Sequence, residues 1–407
     1  MTEGRIAMSY EQSGRGGLGD GNALREAERR IWLAAPHELA DVAEETVRKL
    51  CGTDAAEIYL TDYRMAYLQP VASGQAPIAL AGSPSGRALA TGEPVLEPPA
   101  TASPGTRRLL HLPLTVLGNR LGILRITLPD IPSAEQRSEL LDLAATLSRA
   151  LEIADRATDR YRQARRRERL TLAAEMQWEL LPGRVGSAPE YEFAGQLEPA
   201  YAVAGDNFDW SAARDTLLIS VTNGMGEGTA SALLTQLAVG AMRNARRSGG
   251  DLLEQCGLAD ETIFRHYGGR QHVATLLLSI DLATGVVTAV DAGSPVIYRM
   301  RGGTVERVPL DRQLPLGMFG DTPYTEERFT VQRGDRLVII SDGMHAAHLP
   351  GARAAYEEEF LMRDLAESRL QPPADLVRTL LQRFVERHQG TQLADDAVVV
   401  CLDWKGR

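Results

Sequence analysis

Residues 217–242 leave few architectures open. Leu217, Leu218, Ile219 and Val221 make a short apolar run that reads as a buried strand. It stops at Asn223-Gly224-Met225-Gly226-Glu227-Gly228, and residues 229–242 then carry the Ala/Leu content of a helix. Acidic residues stand at comparable places elsewhere. Asp206 and Asp209 follow Gly205, Asp342 ends the apolar run 337–340, and Asp395-Asp396 precede the run 397–402. Aspartate is disfavoured in strands. A single Asp beside glycine is ordinary turn chemistry. Taken together, acids at three strand borders and one glycine-rich turn point to oxygen ligation of a hard cation, Mg2+ or Mn2+. Asn223 occupies the centre, where such a site most needs a carboxylate.

The chain has 407 residues, which predicts two or three domains. A net charge of −10 argues against general nucleic-acid binding. Cys51, Cys256 and Cys401 stand alone, without a CxxC or a neighbouring His cluster. That excludes a zinc-finger pattern and fits a reducing cytoplasm. No apolar run approaches the ~18 residues of a membrane span. The polar N-terminus lacks the apolar core of a signal peptide. A cytoplasmic protein without membrane or nucleic-acid partners is the expectation.

Residues 1–22, rich in glycine and polar groups, are expected to be a disordered leader. Leu39, Ala43, Val47 and Leu50 line one face of a helical region beginning near Ala23. Alternating segments follow at 56–60, 65–68, 111–117 and 121–126, with Gly118-Asn119 as turn chemistry between the last two. A short helix at 85–91 is stopped by Gly92 and Pro94. The 112–126 hairpin and Gly86-Arg87-Ala88-Leu89-Ala90-Thr91-Gly92 resemble a GAF domain, a sensor with an antiparallel sheet and flanking helices, over residues 23–133. The resemblance implies a small-molecule or protein input. No Cys–His chromophore or haem signature is present, and His111 reads as structural.

Residues 134–182 form a helical pattern. Leu147, Ala150, Ala154, Ala157, Tyr161 and Ala164 recur at spacings of three and four, a coiled-coil seam that predicts a linker and a parallel homodimer. The arginines at 160–169 read as a solvated face. Met176-Gln177-Trp178-Glu179-Leu180-Leu181-Pro182 ends the pattern, because proline pushes the preceding residue out of helical geometry.

Residues 183–407 are strand-rich, with helices expected at 229–247, 251–267, 356–368 and 373–388. That composition predicts an α+β sandwich covered by helices. Ordered motifs then accumulate: Leu180-Leu181-Pro182, Gly205-Asp206-Asn207-Phe208-Asp209-Trp210, Asn223-Gly224-Met225-Gly226-Glu227-Gly228, Ala292-Gly293-Ser294-Pro295, Leu316-Gly317, Gly334-Asp335, Ser341-Asp342-Gly343 and Asp395-Asp396. Together they resemble a PPM-type metal-dependent protein phosphatase of the SpoIIE/RsbU kind, bacterial regulators of sigma-factor partner switching. The implied fold is a PPM-type α-β-β-α sandwich.

The resemblance implies a serine/threonine phosphatase in which two Mn2+ or Mg2+ ions activate water against a phosphorylated anti-sigma-factor antagonist. Asp342 and Asp395 would hold one ion, Asp206 and the Gly224 carbonyl the other. Position 223 would bridge them, with Asp209 and Asp396 tuning the surroundings. The family has Asp at the bridge, and this chain has Asn223. Ser294 and Glu227 also stand where the family often has other residues. Four carboxylates would balance two dications, and only three remain. Three readings follow: a phosphatase of weakened metal affinity, a pseudophosphatase that binds its partner without hydrolysis, and a latent enzyme. In the last, Asn223-Gly224 would deamidate to supply the missing acid.

Overall fold

The computed structural model describes residues 18–97, 107–198, 201, 205–293, 295–346, 354–387 and 396–407. The expected leader lies outside these residues up to position 17. Two units divide the chain. One takes the segments through Asp62, Ala66–Val116 and Arg120–Arg165. The other takes Tyr63–Met65, Leu117–Asn119 and Arg166–Arg407.

In the first unit α1 (Gly21–Leu33) starts at Asp20, whose side chain accepts the Asn22 N–H, so the helix begins inside the segment expected to be leader. It is followed by α2 (Leu39–Cys51), β1 (Ala56–Thr61), β2 (Tyr67–Pro70), β3 (Ile78–Ala79) and α3 (Pro84–Thr91). Next come β4 (Val95–Leu96), β5 (Arg108–Val116), β6 (Asn119–Leu128), α4 (Ala134–Ala154) and α5 (Arg160–Ala164). The sheet order is β3-β2-β1-β6-β5-β4. The β5–β6 turn is Leu117-Gly118, one residue earlier than expected, and both residues have positive φ. His111 is buried, as expected of a structural residue, between Ser85 Oγ (2.8 Å from Nδ1) and Glu97 Oε2 (3.3 Å from Nε2).

The continuous helix expected over 134–181 is not formed. It breaks after Ala154 and again after Ala164, and α6 (Leu172–Leu180) restarts on a Thr171 cap. The seam also has a different use. Leu147, Ala150, Ala154 and Tyr161 are buried in the first unit's own core with Leu110, Leu112 and Val47. Residues 134–164 are therefore part of that unit, and most of their apolar stripe is covered by the chain's own sheet and helices, with Ala157 exposed and Ala164 half-buried. The small residues of the stripe, Ala150 and Ala154, are suited to this close helix-on-sheet packing.

The second unit continues with β7 (Val185–Ala188), β8 (Tyr191–Glu198), β9 (Asp206–Ala212), β10 (Thr216–Gly224), α7 (Gly228–Arg247) and α8 (Leu252–Tyr267). Then come β11 (Val273–Asp281), β12 (Val286–Ala292), β13 (Val296–Arg301), β14 (Thr304–Arg307), β15 (Glu327–Thr330) and β16 (Arg336–Ile340). The unit closes with α9 (Gly343–Ala346), α10 (Ala354–Glu367), α11 (Pro373–Arg387) and β17 (Ala397–Trp404). One sheet runs β15-β12-β11-β10-β9 and the other β14-β13-β16-β17-β8-β7.

Period-two alternation explains the layering. Val398, Val400 and Leu402 face the core between the sheets with Phe193, Phe208, Ile219, Val221, Leu276 and Ile339. Val399 and Cys401 face outward under Leu376, Leu380 and Leu365 of α10 and α11. On the other sheet Leu277 and Val290 lie under Leu234, Ala238 and Cys256 of α7 and α8. The layers are helix, sheet, sheet, helix, and strands buried on both faces read as unbroken apolar runs.

Two outcomes are expected for the first unit. Leu147→Ala removes a fully buried side chain and should lower its stability by about 2–5 kcal/mol in denaturant unfolding, without changing the oligomeric state. Burial holds the His111 imidazole below its usual pKa. Glu97 opposes that shift, and Arg125 and Arg87 reinforce it. Its stabilising effect is therefore complete above the unfolded value of about 6.5 and lost as pH falls below it, so thermal melts should show an acid loss that His111→Gln reduces.

Candidate functional site

The antiparallel register sets Asn223 opposite Asp206 on one side and Ala274 on the other. Asp206 is 1% exposed and Asn223 is half-buried. Two glycines let the strand ends close on α7. The Gly224 N–H donates to Gly205 O at 3.1 Å. A Cβ on Gly224 would lie 2.3 Å from Thr235 Oγ1, and one on Gly205 would lie 2.1 Å from Ser231 Oγ. The Ser231 hydroxyl donates to Gly224 O and the Thr235 hydroxyl to Gly205 O, each at 2.6 Å. Ser231 and Thr235 are one turn apart on α7, so one helix face fastens both strand ends.

The other sheet ends at the same place. The Ser341 N–H donates to Val398 O at 3.1 Å, and the Val398 N–H donates to Ser341 Oγ at 2.9 Å. These bonds fix residues 341–342 beside 396–398. The Asp206 N–H donates across to Asp396 Oδ2 at 3.2 Å. Asn223 Nδ2 donates to Asp342 Oδ1. Asp206, Asn223, Gly224 and Asp342 therefore converge from both sheets, and Asp396 joins them. Asp395 and Ser294 lie outside the described residues. Among the described residues, no three His, Cys, Asp or Glu side chains form a group that could hold a metal ion.

Asp209 is elsewhere. Three residues from Asp206 along a strand is an odd step, which turns its side chain to the opposite face. There its carboxylate accepts from Arg243 at 2.8 and 3.1 Å and from Arg246 at 2.9 Å. Arg243 also donates to Leu180 O at 2.7 Å. Asp209 thus fastens β9 to α7 and, through Arg243, to the end of α6; it does not support a metal ligand. Glu227 is exposed at the α7 N-cap and makes no side-chain capping bond.

One acid escaped the sequence reading. Glu198 is buried at the end of β8, opposite Ala397 on the face that packs on the helices, and accepts from Gln196 Nε2 at 3.1 Å. Its signal was position, the last residue of an alternating run, without the glycine that marked the others.

Residues 213–405 match the family described as Stage II sporulation protein E (SpoIIE). This stretch is a SpoIIE-family domain. No curated protein matches the chain. Among solved structures, the RsbU and RsbW domains of Rv1364c from Mycobacterium tuberculosis share 19% identity over 54% of this chain and 61% of that chain, with a TM-score of 0.48. The PP2C phosphatase domain and regulatory fragment of SpoIIE from Bacillus subtilis share 18% over 54% and 66%, with a TM-score of 0.47. The SiaA-PP2C domain of Pseudomonas aeruginosa shares 19% over 57% and 93%, with a TM-score of 0.48. The chain spans less than two thirds of the length of the first two.

In this SpoIIE-family domain the described donors suit a hard cation in kind, since carboxylate, amide and carbonyl oxygens are what Mg2+ and Mn2+ take. They do not compose a bridged pair. A neutral amide stands at 223, and its N–H, the wrong end for a cation, points at Asp342. The deamidation route also meets resistance. Succinimide formation needs the Gly224 nitrogen to attack the Asn223 side chain, but that N–H is bonded to Gly205 O. Asn223 is moreover held in an extended ladder between two strands. Peptide mass spectrometry on aged folded protein should therefore show Asn at 223, while the same peptide after unfolding gains the one-dalton-heavier acid.

Proposed function

We propose that the chain is a SpoIIE/RsbU-like protein serine/threonine phosphatase in bacterial signalling. Its substrate would be a phosphorylated anti-sigma-factor antagonist, and its hydrolysis would be weakened by Asn223. The observation that carries the reading is the convergence of Asp206, Gly224 and Asp342 at one end of the sandwich, on a unit whose residues 213–405 match the SpoIIE family. A divalent cation held there, Mn2+ or Mg2+, would supply a more acidic water and charge stabilisation for the phosphoryl oxygens. Asp206, the Gly224 carbonyl and Asp342 are the residues to hold it, with Asp395 by resemblance. The chain's own part is positional: Ser231 aims the Gly224 carbonyl, and Asp396 holds the backbone of Asp206.

The first unit would be a GAF-like sensor taking a small-molecule or protein input. No helix among the described residues is long and apolar enough to cross a membrane, and a cytoplasmic setting accords with that. The homodimer expected through residues 140–165 loses most of its support, because Leu147, Ala150, Ala154 and Tyr161 of that stripe are buried within one chain.

One observation favours a second reading. The Asn223 amide donates to Asp342 and satisfies that carboxylate without a cation, as a pseudophosphatase that binds its partner and leaves it phosphorylated would require.

The test is manganese-dependent phosphate release from a phosphoserine protein, with calorimetry for metal binding. Asn223→Asp should gain at least about 10–100-fold in turnover, the scale on which ligand-sphere changes act. Slow but measurable wild-type turnover supports the phosphatase. Turnover seen only in Asn223→Asp supports the binding module. No turnover in either protein would sink the metal-bridge argument.

A further inference from the structure

A cleft of about 280 Å³ opens beside the strand ends, between residues 295–297 and 308–310, with Asp291 and Arg307 also on its lining. Its place follows from register. Val296 pairs with Ile340, two residues before Asp342. Asp291 lies on β12, which is separated from β10 only by β11, and β12 ends toward Asn223. Asp291 is in line with Val221, two strand spacings across and two residues back from Asn223, which puts it about 12 Å from Asn223, the reach of three to four extended residues.

The cleft is preformed. The Val308 N–H donates to Ile297 O at 2.9 Å, tying its two walls. The Gln313 N–H donates to Asp291 O at 2.8 Å, and Gln313 is itself held by Thr325 at 2.7 and 2.9 Å. Its volume lies just below the range of small-molecule pockets and leaves room for one long side chain. The walls are proline and aliphatic, which suits a methylene stem. The Asp291 carboxylate, 6% exposed, is bonded at 3.0 Å by the Gly293 N–H.

We propose that this cleft takes an arginine or lysine side chain of the phosphoprotein segment, about three or four residues from the phosphorylated one, with Asp291 as its counter-charge. The inference rests on the phosphoprotein reading above and names its specificity. Burial pushes the Asp291 carboxyl above the usual range, against the Gly293 N–H, Arg312 and Arg307 and helped slightly by Glu327. A cation entering the cleft relieves that penalty. Arg312 and Arg307 compete only from exposed positions, where a guanidinium is solvated and a charge pair is weak. An acidic side chain would meet Asp291 with like charge, so the cleft also discriminates by repulsion.

The experiment is fluorescence anisotropy on the full chain in magnesium, using labelled alanine-based phosphoserine peptides. A single Arg or Glu is walked through positions two to five on either side of the phosphoserine, and unphosphorylated peptides serve as controls. At one position Arg should bind at least about tenfold tighter than Glu, about 1.4 kcal/mol. Asp291→Asn, which retains an oxygen for the Gly293 N–H, should shrink that ratio to about twofold at unchanged melting temperature. Arg307→Glu, at an exposed site, should enlarge it. Phosphopeptides that bind without an Arg preference, or with one that Asp291→Asn leaves intact, overturn the cleft assignment alone. Phosphopeptides that bind no better than their unphosphorylated controls overturn the phosphoprotein reading and the cleft with it.

Discussion

The contact between Gly205 and Gly224 holds the site together. Two strands approach so closely that neither position tolerates a Cβ, and the two carbonyls are taken up by hydroxyls one turn apart on α7. Asp206 and Asn223, the next residues along, inherit their opposition from that contact. The second sheet joins through single bonds, Asp206 N–H to Asp396 and Asn223 to Asp342. Side chains at this end are therefore placed by backbone geometry, which is stiff, and linked across the sheets by side-chain bonds, which are easily changed. Chemistry at position 223 can vary without disturbing the frame.

Asp209 shows how a residue with a functional appearance becomes structural. Its carboxylate is nearly buried and meets two guanidiniums that are themselves mostly covered. Removing one partner of such a group costs about 3–5 kcal/mol, because a charge is left without compensation. Through Arg243 and Leu180 O the same cluster holds the end of α6 to β9.

Much of the second unit was legible because its strands are buried on both faces. Unbroken runs such as 397–402, and helices at 229–247 and 251–267, fall within a few residues of their observed bounds. The central acids were legible because glycine and Asp at strand borders are conspicuous. Asp209 was misread because Gly205-Asp206-Asn207-Phe208-Asp209 looks like one motif, whereas the pleat sends its two acids to opposite faces. The helical stretch 134–181 was misread because periodicity reports an apolar stripe and does not name what covers it. Leu147 and Tyr161 are covered from within the same unit.

Strand β17 lies inside its sheet, between β16 and β8. Its pairing with β8 joins Ala397 to Glu198 and Trp404 to Tyr191, so nearly the whole second unit intervenes between partners. A ribosome delivers β8 long before β17. Throughout that interval one side of β8 has no strand to pair with, and the Asp396 carboxylate that receives the Asp206 N–H has not been made. The site thus forms among the last events of folding, and the emerging chain must keep an apolar strand edge from other chains until it does.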